Sequence, residues 1–407
     1  MSETNEFYLP EEILITYIFL RLPIKSLLRL KSVNKRFNSI ISSPYFAKRH
    51  LKNSTSSNNN KNTHLLINHK TCFLSFDFES FKSGNYWDCS PFNEDGDIVD
   101  DKPGLARIIK GNFEALHSYI FAIGSCDGLV CLKTKFDFMH VWNPTTLACR
   151  KIPFIRRYNK KEDAVWGFGR VTNGRDYKIV QIHQNTKNNE KTIEIFSLLE
   201  NSWTISQEKL EGIGEKPKLF GFGVSLNDVI YWLYSAAYYR YYDEFYDQRT
   251  EEYHRWWIIG LDLVKRTIKR VPLPEGEPEG IKIAPSMYVM EERLYACWEI
   301  SGNHVVEVAT LKEEGETSSW IKLYQLSHDI VPCYLYSEKS VANVTIKSRF
   351  AVEPYFDSDD GDRRHRDTLL FIDPARELKE DVLKLRIPSS RNVVSYTESL
   401  ISPFCNS

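Results

Sequence analysis

A small all-α unit of three helices followed by an all-β propeller of about six blades is the fold the sequence predicts. Three observations predict it: a helical apolar periodicity confined to the N-terminal segment, an abrupt change after a polar tract to short strand-like runs, and a loose repeat with a period of roughly 50 residues. The 407 residues, 42% of them hydrophobic, suffice for two or three domains with sizeable cores.

The helical pattern runs from Leu9 to about Leu51. Pro10 opens a first helix carrying Ile13, Leu14, Tyr17 and Ile18, and Pro23 separates it from a second, Ile24 to Lys31. Val33, Phe37, Ile40 and Ile41 fall at i, i+4, i+7 and i+8 and define the apolar stripe of a third. Asn34 is placed to cap that helix, and Ser42, Ser43 and Pro44 end it. So small a unit has too little interior for all of Leu20, Leu22, Leu27, Leu28, Leu30, Val33, Phe37 and Ile40, so something else must cover some of them. At about 1.5 to 3 kcal/mol per large side chain, three or four uncovered residues supply much of a nanomolar association.

The same stretch is locally basic. "LRLPIKSLLRLKSVNKRF", Leu20 to Phe37, holds six Lys and Arg and no acidic residue, and between Ile13 and Phe76 eleven Lys and Arg occur without one Asp or Glu. Such a field steers an acidic protein partner. The whole chain, at net charge -1, has no electrostatic reason to seek nucleic acid or an anionic membrane.

"KNSTSSNNNKN", Lys52 to Asn62, is polar and of low complexity and reads as a connector, dividing the chain into 1–51, 52–62 and 63–407. Beyond it, a repeat of apolar strand, polar turn and second strand starts at Val141, Ile195, Ile258, Glu307 and Leu369, each copy within a span that fits one four-stranded blade. "GFG" at Gly167 and again at Gly221 marks a second echo. The pair "THLLI" and "CFLSF" is expected to be closed by the C-terminal "VVSYTESLIS", which removes an exposed sheet edge.

Chemistry-bearing patterns are absent. Eight cysteines show no C-x-x-C spacing, none of the ten histidines lies in H-E-x-x-H, and no serine sits in G-x-S-x-G. "DSDDGD" from Asp357 places its glycine one position early for a calcium loop and has Thr368 where the bidentate glutamate belongs. "GFGRVTNG" lacks the glycine spacing of a dinucleotide loop. No catalytic residue, metal or cofactor is therefore expected. The first twenty residues lack a basic n-region and no apolar run reaches the ~18 residues of a membrane helix, so the expected location is cytoplasmic and/or nuclear.

Tyr231 to Trp257 holds twelve aromatics in twenty-seven residues. Its two ends alternate like buried strands. Its middle, Tyr238 to Tyr253, is too polar for core and reads as an exposed tyrosine-rich loop, of the composition that contact surfaces use. Tyr238, Tyr239, Tyr241, Tyr242, Phe245 and Tyr246 are the candidate target-binding residues, and a packed insertion that contacts no partner fits the tract equally well. Single-strand nucleic-acid binding does not, because acidic residues outnumber the two arginines there.

Leu9 to Leu51 resembles an F-box, the helical motif that docks on the Skp-type linker of Skp–cullin–F-box ubiquitin ligases, with Phe37 where plant members usually carry Trp. "GSCDGLVCL" from Gly124, "VWNPTT" from Val141, "DYKIVQI" from Asp176 and "GVSLNDVIYWL" from Gly223 resemble the plant F-box-associated, kelch-like propeller, although the Gly-Gly pair of true kelch repeats is missing. "YTESLISP" is similar to the S-locus F-box proteins of pollen, whose targets are ribonucleases. The resemblance implies a non-catalytic adaptor that joins a protein target to the linker and cullin scaffold. It places Leu9, Pro10, Ile13, Ile18, Leu22, Pro23, Leu27, Leu30, Val33 and Phe37 at or just beneath the docking surface. A binding protein that sequesters its target without degradation, or a propeller enzyme, are the competing classes.

Overall fold

The computed structural model describes residues 10–56, 63–69, 72–77, 86–88, 106–109, 120–134, 138–153, 163–172, 176–184, 190–209, 215–241, 250–273, 286–290, 292–300, 305–314, 317–327, 345–346, 349–352, 368–372, 383–386 and 393–404. The helical part begins with α1 (Glu11–Ile13), which continues as a π-helical turn (Leu14–Ile18) and a 3-10 turn (Phe19–Arg21). Then come α2 (Ile24–Leu30), α3 (Lys35–Ser42) and α4 (Pro44–Ser56). Asn34 caps α3 as expected, its Oδ1 accepting the Phe37 N–H at 2.7 Å.

The fourth helix departs from the three-helix expectation. Ser43 and Pro44 do stop α3, but they also start α4: the Ser43 hydroxyl accepts from the Phe46 N–H at 3.2 Å, and proline is at home in a first helical turn. The helix then carries past Leu51 into the polar tract, whose remainder, 57–62, lies outside the described residues.

Twenty-five strands follow among the described residues: β1 (Thr63–His69), β2 (Cys72–Asp77), β3 (Tyr86–Asp88), β4 (Ala106–Ile109), β5 (Ile120–Cys126), β6 (Leu129–Thr134), β7 (Met139–Trp142), β8 (Cys149–Ile152), β9 (Asp163–Val171), β10 (Asp176–Gln184), β11 (Glu190–Ser197), β12 (Ser202–Lys209), β13 (Glu215–Leu226), β14 (Val229–Tyr241), β15 (Thr250–Asp262), β16 (Ile268–Pro272), β17 (Ser286–Met290), β18 (Arg293–Ile300), β19 (Val305–Glu314), β20 (Thr317–Ser327), β21 (Thr345–Ile346), β22 (Arg349–Val352), β23 (Thr368–Ile372), β24 (Leu383–Arg386) and β25 (Val393–Thr397). They form sheets ordered β25-β1-β2-β4, β5-β6-β7-β8, β12-β11-β10-β9-β13-β14-β15-β16, β17-β18-β19-β20 and β21-β22-β23-β24-β3. In the eight-stranded sheet two antiparallel quartets meet at a short parallel step between β9 and β13. β25 lies beside β5, and β5, β9, β13, β17 and β21 lie side by side in succession, which is the radial arrangement of a propeller.

The sequence repeat lands in register. Val141, Ile195, Ile258, Glu307 and Leu369 lie in β7, β11, β15, β19 and β23, the third strand of each quartet. The turns that follow also recur: Asn143 and Asp262 each direct Oδ1 to two backbone N–H groups ahead of them, and Leu147 and Arg266 take positive φ of 63° and 59°. The two "GFG" copies fall in β9 and β13, first strands. There Gly167 and Gly223 lie opposite one another. A Cβ on Gly167 would stand 2.7 Å from Ile230 Cγ2 and 2.7 Å from Trp232 Cζ2. Gly167→Ala is therefore expected to cost about 1 to 3 kcal/mol through overpacking, read as a lower thermal midpoint; an unchanged midpoint would contradict this close approach.

The expected closure is present. β25 pairs antiparallel with β1, from Thr63 opposite Thr397 to Ile67 opposite Val393. Val394 and Tyr396 join Leu66, Phe73, Val130, Leu132 and Trp142 in one core. A second core runs without a break from the helices into the propeller: Phe19, Leu20, Ile24, Leu27, Ile41, Phe46, Ala47 and Leu51 share it with Ile123, Leu129, Val141, Phe168, Phe196, Leu400 and Ile401.

Candidate docking surface

The helices divide their apolar side chains between two uses. Leu27 is fully buried, and Leu20 and Ile24 are buried with it in the core shared with the propeller. Phe37 is half-buried, its ring edge-on to Phe19 at 5.1 Å, and Phe19 in turn lies edge-on to Phe46 at 6.4 Å. Leu22 and Leu30 are half-buried against the same core. The ends of the 3-10 turn are held by α4: the His50 Nε2–H donates to the Leu22 carbonyl at 3.0 Å, and Asn53 Nδ2 to the Leu20 carbonyl at 3.0 Å. Burial holds the His50 imidazole below its usual pKa against the opposing pull of the Leu22 carbonyl, which keeps a neutral ring as the donor there.

A different set faces outward. Ile13 is 41% exposed, Ile18 40%, Tyr17 61% and Val33 62%, and Pro10 and Pro23 are exposed as well. A salt bridge from Arg36 at the start of α3 to Glu11 in α1 sets the segments bearing Val33 and Ile13 side by side. Exposed Arg21, Lys25, Arg29, Lys35 and Arg36 accompany them, while Lys31 is half-buried and its pKa lowered by that burial. The arrangement is apolar side chains in solvent amid positive charge, a surface suited to an acidic partner with apolar recesses.

Of the ten residues assigned to docking, Ile13, Ile18, Val33, Pro10 and Pro23 are thus solvent-facing, Leu22, Leu30 and Phe37 are half-buried, and Leu27 is interior. Leu9 lies outside the described residues. Tyr17, outside that set although it falls at i+4 from Ile13, also stands in solvent, with the Arg21 guanidinium 5.9 Å from its ring centre.

At the other end, Tyr238, Tyr239 and Tyr241 belong to β14, paired with Tyr253, Glu252 and Thr250 of β15. The exposed-loop reading is corrected for them: strand pairing persists to Tyr241 and Thr250. Tyr242, Phe245 and Tyr246 lie outside the described residues, as does the acidic and basic tract 357–367. The hairpin β14–β15 points away from the helices. Its β13–β14 turn, Asn227 and Asp228 with φ 48° and 65°, lies on the same rim as the β5–β6 turn at Asp127 and Gly128, against which Thr397 and Ser399 pack. Thirteen residues of β14 then carry the chain roughly 40 Å, at ~3.3 Å per residue, to the opposite rim.

Among the described residues no helix is long and apolar enough to cross a membrane, and no group of three His, Cys, Asp or Glu is placed to hold a metal.

Comparison with known proteins fits both halves. The family model for the F-box domain matches residues 8–49, and that for the F-box associated beta propeller domain matches residues 62–403. A putative F-box/kelch-repeat protein of Arabidopsis thaliana is 24% identical over 341 residues, covering 78% of this chain and 71% of the relative. A second F-box/kelch-repeat protein of that plant is 24% identical over 339 residues, covering 79% and 82%. Among solved structures, a hypothetical selenium-binding protein from Sulfolobus tokodaii covers 83% of this chain and 77% of its own at 8% identity and a TM-score of 0.40. An oligogalacturonate lyase in complex with manganese covers 75% and 69% at 9% identity and 0.38, levels that carry no functional weight. With a helical F-box at one end and the associated propeller filling the rest of the matched length, the chain belongs to the F-box proteins that carry an F-box associated beta propeller domain.

Proposed function

We propose that the chain is a target-selecting subunit of a Skp–cullin–F-box ubiquitin ligase, working in the cytoplasm and/or nucleus without a cofactor. Residues 1–51 dock on the Skp-type linker, 52–62 connect, and 63–407 form a propeller, six-bladed if the eight-stranded sheet is counted as two blades. Ile13, Tyr17, Ile18 and Val33 enter the linker's apolar recesses while the surrounding lysines and arginines meet its acidic surface. The observation that carries the reading is the exposure of Ile13, Tyr17, Ile18 and Val33 beside an interior already filled by Leu20, Ile24, Leu27 and Ile41. The propeller holds a protein target through its tyrosine-rich tract, with Tyr238, Tyr239, Tyr241, Tyr242, Phe245 and Tyr246 as the contact residues. The protein performs no chemistry; it raises the effective concentration of a target lysine near the conjugating enzyme.

The test is affinity purification of the full-length chain from a plant lysate. A Skp-type subunit and a cullin are expected to travel with it. Recovery of a target with neither would leave a sequestering protein in place of a ligase subunit.

A further inference from the structure

The helices and the propeller are joined by more than the connector. We propose that the C-terminal tail, residues 398–404, is a molded joint that locks the helical unit to the propeller in one orientation. The joint itself is independent of the ligase reading; only its consequence, a fixed reach from the docking surface to the tyrosine-rich tract, rests on that reading.

The tail leaves β25 on the helix-bearing rim and crosses two neighbouring groups of strands. Ser399 is fully buried, and Leu400 and Ile401 are buried in the core that contains Ile24 and Leu27 of α2 as well as Val141 and Phe168 of the propeller. Asn143, itself without solvent exposure, grips the tail: its Nδ2 donates to the Ser399 carbonyl at 3.0 Å and to the Ile401 carbonyl at 2.7 Å, while its Oδ1 holds its own turn through the Thr145 N–H. Further along, Arg150 donates to the Pro403 carbonyl at 3.3 Å and, on the next quartet, to the Leu198 carbonyl at 2.8 Å and Asn201 Oδ1 at 2.7 Å. Gly128, at φ +83°, leaves room for the tail: a Cβ there would collide with the Ser399 hydroxyl and the Thr397 carbonyl.

One short segment therefore uses its polar backbone on the propeller and its two large side chains in the core shared with the helices. Buried carbonyls that lack a donor are costly, so Asn143 fixes where the tail runs. Leu400 and Ile401 then present an apolar ledge within the core that α2 enters through Ile24 and Leu27, and a ledge pinned by buried hydrogen bonds cannot pivot without breaking them.

Full-length protein tested by small-angle X-ray scattering and by trypsin digestion, with cleavage followed at Lys61, the one Lys or Arg in the sequence between Ser56 and Thr63, decides the matter. The wild-type chain is expected to scatter as one rigid body. Leu400→Ala, and separately Asn143→Ala, are expected to enlarge the radius of gyration and to speed cleavage by about tenfold or more, the factor that a lost buried interaction is worth in a local opening equilibrium. Both are expected to keep the near-ultraviolet dichroism of a folded propeller and to bind a purified Skp-type subunit with unchanged affinity. Wild-type scattering of two independently moving bodies, or a folded variant with wild-type scattering and cleavage, would overturn the joint. So would collapse of the propeller in both variants, which would make the tail a part of the propeller's own fold. Failure of the wild type to bind the Skp-type subunit would instead strike at the ligase reading and leave the joint standing.

Discussion

Replacing Ile13 and Val33 together by aspartate is expected to weaken binding of a Skp-type subunit by about a hundredfold or more while leaving the melting temperature unchanged. Burial of a large apolar side chain contributes about 1.5 to 3 kcal/mol, and both residues begin partly exposed, so roughly 3 kcal/mol is lost for the pair, which is about a hundredfold in Kd. Two new carboxylates also reverse the sign of the charge that the acidic partner meets, adding to the loss and slowing association. Stability is untouched because both side chains already stand in water at 41% and 62% exposure, where substitutions cost within about 0.5 kcal/mol. A direct titration of purified components measures the effect. Retention of wild-type affinity by the double variant would show that the partner approaches by another face. Leu27 is the wrong residue for this experiment: it is fully buried, and a charge there unfolds the helices whether or not they dock.

That contrast shows what the amino-acid pattern reveals and what it withholds. Period and turn chemistry are local, so they are legible: each repeat copy marks a third strand, Asn34 caps α3, and the C-terminal strand closes onto β1. Direction is not local. A helix that must serve two apolar neighbours, its own propeller and a partner, writes the same leucines and isoleucines for both, and nothing in the spacing of Leu27 and Val33 says that the first turns inward and the second outward. Tyr17 shows the same ambiguity. The ends of the tyrosine-rich tract read as loop for a related reason: polar composition argues against a core strand but not against strand pairing, and a hairpin that extends beyond its neighbours in the sheet satisfies its backbone through Tyr238–Tyr253 and Tyr241–Thr250 pairs. The ledge of Leu400 and Ile401 was likewise invisible, because its partners lie more than two hundred residues away, at Asn143, and in α2.

Ending the chain at Asn392 is expected to prevent folding altogether, a larger effect than any tail substitution. β25 is the innermost strand of the sheet that opens with β1, and its removal leaves β1 an unpaired edge from Thr63 to Ile67. The loss reaches both cores. Val393, Val394 and Tyr396 leave the closure, where the Tyr396 hydroxyl lies 2.9 Å from that of Ser75 in β2, and Leu400 and Ile401 leave the core shared with the helices. Five large apolar side chains at about 1.5 to 3 kcal/mol each amount to roughly 10 kcal/mol, comparable to the whole stability of a typical domain at about 5 to 15 kcal/mol. The truncated chain is expected to be recovered as aggregate, with no cooperative thermal transition. Supplying residues 393–404 as a separate peptide during refolding is expected to restore part of the soluble fraction, because the strand's place in the sheet is set by pairing and not by its covalent link. A truncated chain that melts cooperatively near the wild-type temperature would show that the ring of sheets holds without its closing strand, and that the fixed spacing from docking surface to tyrosine-rich tract is built elsewhere.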